Sequence, residues 1–236
     1  MNTSLETYRA DLENKGIQVV EHECTGQLKG RKCTTCVLGV LLSENGKQIE
    51  QYMLSWLTKE YKVFCVRQPA PGTLFEYPAL RYAQLLSLEH GEPVLYLHTK
   101  GAANKGRSQR QIINMWKFEF VDSIADYEKN LEQFDVVLPY SGSQNITWLN
   151  GFIASPEAYA KIPPIAPEQN RFLFEILFKG TDLKFHGRRM NDLLRTDRVD
   201  NVSRMYRDIR RFSPSFTPAC ERLHNLFLKP VPKKGL

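Results

Sequence analysis

The chain has 236 residues, 42% of them hydrophobic and 11% aromatic, which is enough to close one sizeable core and short for two independent ones. A formal charge of +6 directs attention to polyanionic partners: nucleic acid, an anionic membrane surface or the diphosphate of a small substrate. The longest apolar stretch, around Cys36 to Leu42, falls far below the roughly 20 residues of a membrane-spanning helix, so no such span is expected.

Ser4 caps a predicted helix that carries Leu5, Tyr8 and Leu12 on one stripe and stops at Gly16. Ile17 to Val20 read as a strand, and so does the apolar, partly β-branched run from Thr34 to Leu42. Ser43-Glu44-Asn45-Gly46 then turns into a helical pattern of Ile49, Tyr52, Met53, Trp56 and Leu57. Lys62 to Val66 is another short strand. Pro69, Pro71 and Gly72 enforce a loop before helical spacing resumes from Glu76 to Leu88, and Pro93 to Leu97 is the next strand. Buried strands alternating with helices predict an α/β fold, a mostly parallel sheet flanked by helices, because parallel neighbours need crossover helices.

His98 to Arg110 is polar with little to bury and is expected to be a loop. Ile112, Trp116, Phe120, Ile124, Tyr127, Leu131 and Phe134 recur at intervals of three and four, predicting one long helix from about Gln109 to Phe134. Asp135 to Pro139 and Thr147 to Ala154 read as strands, Pro156 starts a short helix, Gln169 to Phe178 reads as a helix and Leu183 to Phe185 as a strand ending at His186-Gly187. From Val199, an apolar face of Val202, Tyr206, Ile209 and Phe212 lies opposite Arg198, Arg204, Arg207, Arg210 and Arg211. The expected organisation is one α/β domain over residues 1–196 with a basic helical extension, 197–236, packed on it.

Chemistry concentrates between Glu76-Tyr77-Pro78-Ala79-Leu80-Arg81 and Val94-Leu95-Tyr96-Leu97-His98-Thr99-Lys100-Gly101: a helix, a buried strand and a polar cluster at the strand's carboxyl end. Open α/β sheets bind ligands just outside those ends. With this segment the chain resembles a largely uncharacterised group of nucleotide-sugar glycosyltransferases of GT-A type, which carry Tyr-x-His-Thr-Lys-Gly after such a strand. Trp148-Leu149-Asn150-Gly151-Phe152-Ile153-Ala154-Ser155 is similar to the acceptor-side strand of GT-A enzymes, Glu168-Gln169 to an acidic-Gln pair opening a later helix, and His186-Gly187 to a late His-x-x-Gly element. The matches span roughly Thr35 to Gly187 in order, and the His-Thr-Lys-Gly block alone is distinctive.

The resemblance implies a GT-A-like sheet that transfers a sugar from a nucleoside-diphosphate sugar to a hydroxyl of a surface polysaccharide or lipid-linked glycan. Ser43, Arg81, His98, Thr99, Lys100 and Gly101 would hold the donor, Asn150 and Gly151 would line the acceptor side, and His186 would join the substrate site. Where GT-A enzymes carry Asp-x-Asp to hold Mn²⁺ or Mg²⁺, this sequence has His98-Thr99-Lys100. A departing nucleoside diphosphate gains negative charge, so positive charge is still needed there, and Lys100 can supply it with Lys105, Arg107 and Arg110 nearby. Metal-independent diphosphate binding is therefore expected. An inverting transfer needs a carboxylate to take the acceptor's proton, for which Glu168 and Glu175 are the candidates; a retaining transfer leaves that role empty.

Each residue also has a plainer reading. His98-Thr99-Lys100 reads equally as a solvated loop, Arg81 as a salt-bridged helical residue, Asn150-Gly151 as a bulge, Glu175 as a solvent-facing spacer, Glu168 as a helix-start carboxylate and His186 as a hydrogen-bonded strand-end residue. Cys33-Thr34-Thr35-Cys36 with Cys24 and His22 has a ragged second ligand pair for zinc, and Cys36 opens a predicted core strand. Five cysteines, Cys24, Cys33, Cys36, Cys65 and Cys220, with no secretory signal ahead of them, point to a reducing, cytoplasmic setting. The basic helix suits an anionic leaflet on the cytoplasmic face or is an ordinary hydrated face. Two other classes stand beside the enzyme: a non-catalytic protein that keeps the fold and binds a sugar nucleotide, and a basic nucleic-acid-binding module, for which there is no aromatic-basic recognition signature.

Overall fold

A computed structural model describes residues 3–70, 74, 76–99, 102, 107–141, 145, 147, 150–167, 174, 177–179 and 181–189, with the backbone alone at 107–111, 140 and 188–189. Helix α1 (Leu5–Asn14) begins where the Ser4 hydroxyl accepts the Thr7 amide, buries Tyr8 and Leu12, and is followed by Gly16 at φ 73°. Strand β1 (Gln18–His22) leads to β2 (Thr35–Leu42), α2 (Glu44–Leu57, capped by the Ser43 hydroxyl) and β3 (Lys62–Pro69). Helix α3 (Tyr77–His90) has Pro78 in its first turn, where its missing N–H costs nothing, and ends at left-handed Gly91. Next come the fully buried β4 (Val94–His98), α4 (Arg107–Lys117), a π-helical turn (Phe118–Asp122), α5 (Ile124–Asn130), β5 (Val136–Ser141), β6 (Phe152–Ala154), α6 (Pro156–Ala160) and β7 (Phe185–Arg189). Residues up to Gly187 belong to one compact unit.

The seven strands form one sheet in the order β1-β3-β2-β4-β6-β5-β7. It is mixed, which corrects the expectation of a mostly parallel sheet. β2 pairs in parallel with β3 and β4, whereas β1/β3, β4/β6 and β5/β6 are antiparallel. The physical reason at the second half is connection length: only residues 142–151 separate β5 from β6, too few for a crossover, so the chain must double back. β7 follows β5, since Lys184 meets Asp135 and Val136 while Gly187 meets Leu138 and Ser141.

Alternation along the strands sends side chains to two buried faces. On one, Val37, Val66, Val94, Tyr96, Val136, Leu138 and Phe152 pack with α1, α3 and α6. On the other lie Cys36, Leu38, Cys65, Leu95 and Leu97, and α2 and α4 contribute buried Met53, Trp56, Leu57, Ile113 and Trp116. Arg31 ties the 23–34 connection down, bonded to Glu60 at 2.8 Å and to Glu128, with its guanidinium over the Tyr61 ring.

Four further expectations change. The long helix is interrupted: Ser123 N donates to Phe118 O, five residues back, and α5 starts afresh. The Tyr61 hydroxyl donates to the Phe120 carbonyl at 2.6 Å, a long-range partner seated in the π-helical turn. The predicted strand over Thr147 to Ala154 shrinks to β6, because Asn150 is left-handed at φ 49° and the pairing of Thr147 with Ser141 is an isolated bridge rather than a ladder. The polar loop ends early, at Arg107, and the last strand is shifted to 185–189. The predicted helix Gln169–Phe178, apart from Phe174, Leu177 and Phe178, and the whole extension 197–236 with its basic helix lie outside the described residues. No helix of the described residues is long and apolar enough to cross a membrane.

Burial pushes the Cys33 thiol up to about 12 and raises Cys36 and Cys65 as well, whereas Cys24 is partly exposed. Thiolate, not thiol, is the reactive form. In a Cys220→Ser variant at pH 8, a thiol reagent is expected to titrate Cys24 rapidly and the other three only on unfolding, as counted by mass spectrometry.

Candidate functional site

The carboxyl ends of β2 and β4 lie side by side, and the chain leaves them in opposite directions. From β2 it passes through α2 to β3; from β4 it passes through α4 and α5 to the far half of the sheet. In open α/β sheets ligands bind outside the strand ends at such a switch of direction. The chain leaving β4 is laced across the end of β2. Thr99 N donates to Gly39 O at 2.8 Å, Leu41 N donates to Thr99 Oγ1 at 3.2 Å, and Ser43 Oγ donates to Ala102 O at 2.8 Å while capping α2. The positive end of α2, a helix of four turns, therefore opens on the segment that carries His98 and Thr99.

His98 is 9% exposed and closely surrounded. Its Nε2 lies 3.6 Å from Glu76 Oε1, at the start of α3; its ring stacks on Tyr96 and meets the edge of Trp116 at 5.5 Å between centroids. Gly39 makes room for this: a Cβ there would lie 3.0 Å from Ala79 Cβ and 3.4 Å from His98 Cβ. Burial holds the Tyr96 phenol, with Glu76 beside it, well above its ordinary pKa.

Trp116 is wholly buried and joins the two halves of the predicted site. Beyond its indole lies Gly151, where a Cβ would land on the indole nitrogen and 2.9 Å from Cζ2. Asn150, 1% exposed, is held left-handed with Thr147 Oγ1 donating to its Oδ1 at 3.3 Å. Asn is among the few residues other than Gly that adopt this conformation readily, and Gly is the only one whose lack of Cβ admits the indole.

Of the predicted site residues, Ser43, His98 and Thr99 thus meet at the ends of β2 and β4, with Asn150 and Gly151 across Trp116. Arg81 is buried one turn into α3, and its hydrogen bond runs to Gln84 and so toward α6. His186 packs on Phe134 at 5.1 Å; desolvation lowers its pKa, and Glu119 opposes the shift. Lys100, Gly101, Glu168 and Glu175 lie outside the described residues. No group of three His, Cys, Asp or Glu residues able to hold a metal ion occurs among the described residues. Sequence reasoning missed two contributors. Trp116 reads as one more apolar helix position, and Glu76 as a helix start; nothing local marks either as facing His98. No protein-family model, no curated protein and no solved structure matches this chain.

Gly151→Ala is expected to force Trp116 out of its seat and cost about 1–3 kcal/mol, measured by urea unfolding, with a change in the near-ultraviolet circular dichroism of the indole. For His186, a folded pKa below the ordinary 6.5 means its stabilising contribution is whole above 6.5 and is lost as pH falls through the lower folded value. His186→Gln should flatten the stability profile in that acid window, read from denaturation midpoints at a series of pH values.

Proposed function

We propose that this chain binds a nucleoside-diphosphate sugar at the carboxyl ends of β2 and β4 and transfers its sugar to a hydroxyl acceptor, on a mixed-sheet variant of the GT-A architecture. The observation that carries the reading is the meeting of His98-Thr99 with Asn150-Gly151 on either side of Trp116, at the switch point of the sheet. The pairing matches the donor-side and acceptor-side segments on which the sequence resemblance rests, and neither segment determines the other's position locally.

In this reading Ser43 and Thr99 shape the floor of the diphosphate site through their hydrogen bonds to Ala102 and Leu41. Lys100 supplies the compact positive charge that stabilises the leaving diphosphate, with the N-terminus of α2 adding a fixed dipole. Asn150, buried and conformationally committed, fixes the wall against which the acceptor hydroxyl is presented. Glu168 or Glu175 takes the acceptor proton if the transfer inverts configuration. The acceptor is a glycan or lipid-linked glycan, and the protein works on the cytoplasmic side of the membrane that carries it. The competing possibility, a fold that binds a sugar nucleotide without turning it over, separates from this one by assay.

A thermal-shift screen of sugar nucleotides tests the reading. A ligand at 100 times its Kd adds about 2.7 kcal/mol of stability. One donor is expected to raise Tm clearly, Mn²⁺ to change its affinity by less than about tenfold, and Lys100→Ala to abolish both the shift and release of nucleoside diphosphate. A shift without turnover identifies the non-catalytic protein. No shift with any donor overturns the proposal.

A further inference from the structure

Four arginines have described side chains, and three of them are neutralised. Arg9 pairs with Glu21 at 2.8 Å and Glu13 at 3.5 Å, Arg31 with Glu60 and Glu128, and Arg67 with Glu50 at 2.7 Å. Arg81, only 9% exposed, is the exception: no carboxylate among the described residues lies within ion-pair distance of it. Among the described residues its hydrogen bond runs from Nη1 to the neutral Gln84 Oε1 at 2.6 Å. A guanidinium cannot shed its proton, so a buried one must find an anion or carry an uncompensated desolvation cost.

The surroundings are arranged to hold the guanidinium. Gln84 Oε1 also accepts the Ile165 amide at 2.9 Å, and its Nε2 donates to the Tyr159 and Pro163 carbonyls at 3.3 and 3.2 Å. Gln84 is thereby locked by three hydrogen bonds besides the one from Arg81, and presents its oxygen to Arg81. On the other side Tyr8 lies within electrostatic reach of Arg81, beside Tyr77. Burial raises the Tyr8 phenol far above its ordinary pKa, so it stays neutral and is no counter-ion. With Nη1 committed to Gln84, the Nε–Nη2 edge of the guanidinium is left with no partner among the described residues. That edge is the one that grips a carboxylate or phosphate with two parallel N–H bonds.

We propose that Arg81, oriented by Gln84, is an oxyanion site between α1, α3 and the 163–165 turn, taking a phosphate or carboxylate group of a small ligand. It is separate from the donor corner at His98 and does not depend on that assignment. Gln84 is a positioning residue in this site: it holds the guanidinium and does not touch the ligand.

Thermal unfolding of the full chain tests it, with inorganic phosphate and acetate each titrated against sodium chloride of matched ionic strength. Wild type is expected to show a saturable rise in Tm with at least one of the two, and the more potent anion identifies the ligand group. Arg81→Gln should lose the rise. Should that variant fail to fold, Arg81→Lys, which keeps the charge and loses the fork, should weaken the apparent affinity by about an order of magnitude. The double variant His98→Gln, Lys100→Ala should keep the rise, which separates this site from the donor corner. A flat wild-type response, or a rise that survives Arg81→Gln or is undiminished in Arg81→Lys, overturns the inference. A chain that ignores every sugar nucleotide yet keeps an Arg81-dependent phosphate response overturns the donor reading and leaves this one standing.

Discussion

Three hydrogen bonds that fasten the chain leaving β4 onto the end of β2 organise everything around them: Thr99 N to Gly39 O, Leu41 N to Thr99 Oγ1, and Ser43 Oγ to Ala102 O. They extend the β2/β4 pairing past the last strand residue and bind it to the cap of α2. Each backbone group involved is part-buried and would be costly to leave unmade. One strand end, one helix start and the chain at Thr99 and Ala102 are thereby fastened into one corner, and His98 inherits its position from it. The close approach of α3 at Gly39 then brings Glu76 to the same imidazole.

Trp116 extends that corner to the second half of the sheet. A large, wholly buried ring contacts His98 on one side and the Gly151 backbone on the other. Burying a ring of this size contributes several kcal/mol, which helps hold the left-handed Asn150 in place. The π-helical turn just after α4 belongs to the same arrangement: it lets Trp116 and Phe120 both stay buried while Tyr61 takes the Phe120 carbonyl. Close packing on both sides of the indole is what the proposed transfer would need from its scaffold, since misplacement by an ångström is costly.

Much of this was readable one residue type at a time. Ser4, Ser43 and Pro156 announce helix starts, Gly16 marks a stop, and short apolar runs locate β2, β3 and β4. The candidate site was half legible. His98 and Asn150-Gly151 stood out by chemistry and resemblance, whereas Trp116 and Gln84 looked like ordinary helix positions, and the isolation of Arg81 from the carboxylates of the described residues has no local signature at all.

The sequence by itself determined most of the helices and strands of the described residues, because the 3.6 period, short apolar runs and the capping residues act within a few neighbours. Only the tertiary structure decided that the sheet is mixed, that the long helix breaks at a π turn, and that Trp116 sits between His98 and Gly151. The last two are set by contacts between residues far apart in the chain, the Tyr61 hydroxyl on a distant carbonyl and a glycine that clears space for an indole, and the first by which strand ends the short β5–β6 return must join. Local spacing carries no information about such contacts, since their free energy appears only when the packed partners meet.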